Sequence, residues 1–245
     1  MRVRVSGAGP TVVLLHGWAT SGRIMEGIAA ELEASYETHV VDLPGHGALV
    51  EGRVDLSLNQ IIDPVIAYVR QLPSPPIMLG WAMGAVVLLK VGLHADVRAG
   101  VCIGTPSGGP DFGPAFEKMA SRMARDWPRY VRSSADAIVG DRVSPEMLQF
   151  LRETMHQTPL SLAHRTLVEV AACDPTDWVR QSTYPLLFVH GADDKISPVE
   201  VSERLAAVAR DSTLKVYAGI GHAPFLEERT QFLRDLGLFL EELDD

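Results

Sequence analysis

The chain has only two cysteines, Cys102 and Cys173, among 245 residues. One distant pair builds neither a disulfide framework nor a thiolate metal site. Both thiols are expected to be small core groups in a reducing compartment. Positive charge is also scarce: 22 Lys and Arg stand against 31 Asp and Glu, a net charge of −9. Nucleic acid is therefore excluded as a general partner, because most of the surface would repel a phosphate backbone. No apolar run is long enough to span a bilayer, and Met1-Arg2-Val3-Arg4-Val5-Ser6 alternates as a strand does. Neither a membrane segment nor a signal peptide is expected, and the reading is a cytoplasmic monomer. Repeats and low-complexity stretches are missing as well. A last absence is local: a hydroxyl is missing from the centre of one sharp turn, at Ala82.

What is present suits one large α/β domain, with 47% hydrophobic and 22% charged residues. Continuous apolar runs at Thr11 to His16, Thr38 to Leu43, Pro76 to Gly80 and Ala99 to Gly104 read as strands covered on both faces. Helical spacing lies between them. Met25, Ile28, Ala29 and Leu32 mark one helix, and Ser57-Leu58-Asn59-Gln60 is a capping box opening another that runs to about Leu72. From Thr105 to Arg180 only helical periodicity is found, broken by Pro114, Pro128, Pro145 and Pro159. Strands resume at Tyr184 to His190 and Leu214 to Ala218. A helix with Pro198 at its first position lies between them, and one from Pro224 to about Glu242 follows. This order predicts a mainly parallel sheet with helices on both faces. Residues 1–105 and 181–245 would form the core. Residues 106–180 would be a helical cap over the strands' C-terminal ends, where open α/β sheets bind ligands.

The chemistry gathers at three strand ends. Gly80-Trp81-Ala82-Met83-Gly84 has the spacing of a nucleophile elbow, G-x-S-x-G, with Ala82 at its centre. The flanking glycines suit a corner where strand and helix backbones pass too close for a Cβ. Gly191-Ala192-Asp193-Asp194 follows one later strand and Gly219-Ile220-Gly221-His222 follows the last. Elbow, acid, histidine is the chain order of the Ser-Asp-His triad on an α/β-hydrolase sheet. A serine hydroxyl needs an imidazole to take its proton. The imidazole in turn needs a carboxylate on its other nitrogen.

On these residues the chain resembles the α/β-hydrolase family over nearly its whole length. More narrowly, Leu14-Leu15-His16-Gly17-Trp18, Asp42-Leu43-Pro44-Gly45-His46-Gly47, the elbow and His222-Ala223-Pro224-Phe225 resemble pimeloyl-acyl-carrier-protein methyl ester esterases of biotin synthesis. The resemblance implies a carboxylester hydrolase without cofactor. Its acid frame falls on Gly191, Asp194, Ile196 and Pro198, which selects Asp194 over Asp193. Its oxyanion hole would use the amides of Trp18 and Met83. Trp18, Trp81 and Met83 are expected to wall the acyl pocket, with Phe116, Met119 and Met123 added from the cap; a plain core role is the alternative for the tryptophans. His16 is expected to brace the oxyanion loop. His156 and His164 stand alone in the cap, so no metal site is expected.

Ala82 departs from the pattern, because a methyl group cannot form an acyl-enzyme. A serine replaced on purpose is the favoured origin, and natural loss of the nucleophile is the other. An aspartate, as in dehalogenases and epoxide hydrolases, is a third parent residue. The alternatives in function are a general short-chain carboxylesterase, a carbon–carbon hydrolase of the same fold, and a non-catalytic protein that keeps the pocket.

One surface feature runs against the net charge. Lys118, Arg122, Arg125, Arg129 and Arg132 are spaced 4, 3, 4, 3, which places them on one helical face if the helix is continuous. Pro128 is positioned to split it. The resemblance implies that such a stripe docks an acidic acyl-carrier protein. The alternative is a solvated basic face, partly offset by Glu117 and Asp126.

Overall fold

The computed structural model describes residues 1–47, 55–106, 113–140 and 142–243, with backbone alone for residues 113–117. Among the described residues seven strands form one sheet: β1 (Arg2–Gly7), β2 (Thr11–Leu15), β3 (Glu37–Asp42), β4 (Ile77–Trp81), β5 (Ala99–Ile103), β6 (Leu186–Gly191) and β7 (Ser212–Tyr217). Their order is β1-β3-β2-β4-β5-β6-β7. Only the β1–β3 pair is antiparallel.

The apolar runs read as doubly covered strands for a reason visible in the packing. Along β2, Val12 and Leu14 belong to one buried cluster while Val13 and Leu15 belong to the other. Successive side chains of a strand point to opposite faces, so a continuous apolar run feeds two cores. Helices α1 (Glu26–Leu32) and α11 (Arg229–Glu242) close one face. Helices α2 (Leu58–Val69), α3 (Met83–Val91), α8 (Thr176–Gln181) and α9 (Val199–Val208) close the other. The capping box of α2 is present, with Ser57 accepting from Gln60 and Gln60 reaching back.

Between β5 and β6 stand α4 (Gly113–Arg125), α5 (Trp127–Val139), α6 (Pro145–Gln157), α7 (Leu160–Ala172) and α8, with no strand among the described residues. These helices pack on the sheet as well as on one another. Val131, Ala135, Ile138 and Val139 of α5 join the same cluster as the sheet residues Leu79 and Val101.

Local boundaries differ from the sequence expectation at two places. Pro198 is the N-cap of α9, not its first residue. The last helix is two, α10 (Pro224–Glu227) and α11, divided at Glu228 (φ −138). The basic stretch is split in two beside Pro128, as the sequence suggested. Asp126 ends α4 and caps α5 by accepting from the Arg129 amide, with Pro128 in the first turn. Among the described residues no helix is long and apolar enough to cross a membrane.

Candidate active site

The elbow joins β4 to α3 through Ala82, whose backbone sits at φ 50, ψ −114. A non-glycine residue held in so sparsely populated a region costs on the order of 1–3 kcal/mol. The flanks have no room for side chains. A Cβ on Gly80 would lie 2.3 Å from the Gly84 carbonyl oxygen, and one on Gly84 would lie 2.4 Å from that of Leu15. The Ala82 amide donates to Ile103 at 2.8 Å, which pins the corner to the next strand. Met83 opens α3, so its amide is one of the donors a helix start leaves without an intrahelical acceptor.

The loop after β2 is fixed by a buried histidine. His16 Nε2 accepts from the Leu43 amide at 3.1 Å, and its Nδ1–H donates to the Gly17 carbonyl at 2.8 Å. Burial, helped by the neighbouring His46, lowers His16 to about 3, so it braces the loop as a neutral ring. The same loop carries Trp18, whose Nε1–H donates to the Ala163 carbonyl of α7 at 2.9 Å.

Asp194 follows β6 in a turn that fills both of its oxygens. Oδ1 accepts the amides of Ile196 at 2.7 Å and Ser197 at 3.0 Å. Oδ2 accepts His222 Nδ1–H at 2.7 Å and lies 3.1 Å from His190 Nε2. Burial alone would raise this carboxyl. The charge of His222 and hydrogen bonds from His190, His222 and Ser197 overrule it and hold Asp194 well below the usual carboxylate range. Asp193, its neighbour, is exposed.

His190 was not singled out by the sequence. It ends an apolar strand, is fully buried, and contacts Ser197 O at 2.9 Å and Ser202 Oγ at 2.7 Å. A carbonyl only accepts, so Nε2 carries the proton and Nδ1 accepts from Ser202. That tautomer presents an N–H to Asp194 and helps keep the carboxylate ionised.

His222 follows β7, and its carbonyl accepts Trp81 Nε1–H at 2.9 Å. With Nδ1 engaged by Asp194, Nε2 is left as the proton acceptor. Ala82, Met83, Trp18, Trp81 and His222 all line one cavity of about 70 Å³. Met119, Tyr130, Ser134, Ile138 and Leu167 close it from the inserted helices. Of these five only Met119 was expected in the pocket from the sequence. Met123 is a correction: it does not line the cavity but is fully buried with Tyr130 and Ala163. One further helical turn carries it from the cleft to the α4–α5–α7 junction. The side chain of Phe116 lies outside the described residues.

The five basic residues are all exposed, three on α4 and two on α5. The break at Asp126 means they do not form one straight stripe. Arg122, Arg125 and Arg129 nevertheless meet around one surface depression with Asp126, Tyr130 and Ser133. Lys118 and Arg132 are not part of its lining.

A strained strand-to-helix corner, a buried carboxylate–imidazole pair and an apolar cavity between them define a class, and the comparisons agree with it. The chain belongs to the alpha/beta hydrolase family, which it matches over residues 12–236. It is 28% identical to the pimeloyl-[acyl-carrier protein] methyl ester esterase of Nitrosomonas europaea, over 95% of this chain and 96% of that one. It is 29% identical to the protein of the same name from Xanthomonas axonopodis pv. citri, over 98% of both. The solved structure of an esterase from Exiguobacterium antarcticum matches with a TM-score of 0.90 at 20% identity, covering 98% of this chain and 94% of that one, a likeness of fold.

Proposed function

We propose that this fold is built for serine-type carboxylester hydrolysis, on the methyl ester of a pimeloyl chain carried by an acyl-carrier protein. In this reading Ala82 stands where the working enzyme has serine, and this chain forms no acyl-enzyme. The observation that carries the proposal is the strained φ of 50 at Ala82, beside a cavity that His222, itself hydrogen-bonded to Asp194, also lines. An alanine gains nothing from that backbone, whereas a serine there would present its hydroxyl to the cavity.

The chemistry follows from the placement. A hydroxyl at position 82 attacks the ester carbonyl while His222 Nε2 takes its proton. The amides of Trp18 and Met83 receive the developing oxyanion, and loss of one such donor costs about 10²–10³ in rate. The proton returns to the leaving methoxide, and water then frees the acid by the same route. Residues 106–180 act as the cap, with Arg122, Arg125 and Arg129 offering positive charge to an acidic carrier. The two methyl ester esterase relatives support this choice of substrate.

A second reading, a short-chain carboxylesterase, is favoured by the cavity itself. Its 70 Å³ is small beside the roughly 300–1,000 Å³ of most ligand pockets. One experiment separates them. Ala82→Ser protein is given methyl pimeloyl-carrier and an aryl acetate. The first reading predicts free pimeloyl-carrier and methanol with a much higher kcat/KM than for the aryl ester. Hydrolysis of the aryl acetate alone selects the second, and hydrolysis of neither removes both.

A further inference from the structure

The histidine loop is held by an acceptor that the triad does not include. The Gly221 amide donates to Glu227 Oε2 at 2.9 Å and the Ala223 amide donates to Glu227 Oε1 at 3.1 Å. One carboxylate therefore brackets His222, one oxygen to each neighbouring residue. Glu227 is only 9% exposed, and a buried carboxylate is costly unless its lone pairs are filled. Here main-chain amides fill them.

The local sequence explains the geometry. Ala223 is the N-cap of the one-turn helix α10 and has no side-chain acceptor to offer. Glu227, at the far end of that turn, reaches back to the Ala223 amide, while its own amide donates to the Ala223 carbonyl at 3.0 Å. Gly221 packs closely on this carboxylate: a Cβ there would lie 3.1 Å from Glu227 Oε1, so the carboxylate would have to give way by a few tenths of an ångström. The loop is thus closed at both sides of the imidazole.

We infer that Glu227 is a positioning residue for His222. It is not among the residues lining the cavity, so it acts through the main chain. It fixes the loop so that Nδ1–H reaches Asp194 while the His222 carbonyl takes the Trp81 indole N–H. The inference rests on His222 being the base, and its test is chosen to stand apart from the esterase reading.

The discriminating variant is Glu227→Gln, which keeps the shape but turns one acceptor into a donor facing an amide N–H. In the Ala82→Ser form it should lower kcat on an aryl ester about 10- to 100-fold with KM held within about threefold, the pattern of a misplaced base. Glu227→Asp, which keeps two acceptors, should retain more activity than Gln. A residue that merely fills space predicts the reverse order. Independently of any activity, proton NMR of the Ala82 chain reads the deshielded His222 Nδ1–H. Glu227→Gln should broaden or remove that resonance. Should Glu227→Gln not melt cooperatively, the same resonance is read in Glu227→Asp, where weakening supports the inference. A resonance unchanged in the folded variant, or a Gln form with kcat equal to that of Glu, overturns it. An Ala82→Ser form without esterase activity would sink the functional reading and leave the NMR comparison to decide Glu227.

Discussion

The main-chain N–H of His222 donates to the carbonyl of Ile138 at 3.1 Å, joining the histidine loop to the last turn of α5. Helix ends leave carbonyls without intrahelical donors, and here one of them holds the residue that carries the base. The helix stops because Gly140 adopts φ 53, ψ −146, a conformation close to glycine's own territory. Among the described residues a Cβ at Gly140 would meet only Glu227 Oε2, at 3.6 Å, so backbone strain is what opposes a side chain. Gly140→Ala is expected to destabilise by on the order of 1–3 kcal/mol. It should also lower kcat of the Ala82→Ser form more than it raises KM. Urea unfolding and steady-state kinetics check both; unchanged values would mean that the end of α5 adapts freely.

The elbow yields opposite predictions two residues apart. Gly84→Ala drives a Cβ to 2.4 Å from the Leu15 carbonyl oxygen, inside van der Waals contact with rigid backbone. A loss on the order of 3 kcal/mol is expected. Ala82→Gly relieves the positive φ at the cost of a freer unfolded chain, for a net gain of about 1 kcal/mol. Denaturant midpoints measure both. A stabilised Gly84→Ala would contradict the close approach of β2 and α3.

Two buried histidines set an acid limit. The His16 and His46 rings lie 5.2 Å apart, and burial lowers them to about 3 and about 4 respectively. In the unfolded chain each titrates near pH 6.5. Below that pH the unfolded state binds protons the folded state refuses, so stability is full above about 6.5 and falls as pH drops. Each histidine contributes on the order of a few kcal/mol to that fall. The depressed Asp194 adds its loss only lower, below its unfolded value near 3.9. His46→Gln is expected to flatten the stability curve between about pH 6.5 and 4, as read by urea titrations at several pH values. An unchanged slope would mean that His46 is protonated in the fold.

Much of this was legible in the chain, and for identifiable reasons. Val12 to Leu15 announced a two-faced strand because alternate residues must fill two cores. Gly80 and Gly84 announced a corner because only glycine fits it. Asp194, chosen over Asp193 by its frame, is the carboxylate that meets His222. What was not legible depends on contacts between distant residues. His190 looked like the end of a strand, and only the fold brings its Nε2 to Asp194. Glu227 looked like one more charge on a final helix until that helix broke at Glu228. Met119 and Met123 share a helical face by periodicity, yet only the first reaches the cavity, because spacing gives a face and not the point where it ends. Pro128 announced the split in the basic stretch, but not that Arg122, Arg125 and Arg129 alone would meet around one depression.

Arg125 and Arg129 belong to that depression, and carrier docking there would be electrostatic. Reversing both to Glu in the Ala82→Ser form should raise KM for a carrier-bound ester about tenfold or more, with the gap closing at high salt. Titration against an acidic carrier protein at two ionic strengths provides the check. Equal affinity in both forms would assign the stripe to solvent.

The central claim is that Asp194, His222 and position 82 form one nucleophile-activating unit from which a hydroxyl is missing. Intact-mass measurement after exposure to a fluorophosphonate tests it most directly. Ala82→Ser should gain one phosphonyl group, located on residue 82, and adding His222→Asn should slow that labelling by roughly 10³-fold or more. The chain carrying Ala82 should gain none there. An Ala82→Ser protein that folds normally and stays unlabelled, or labels equally fast without His222, would contradict the account.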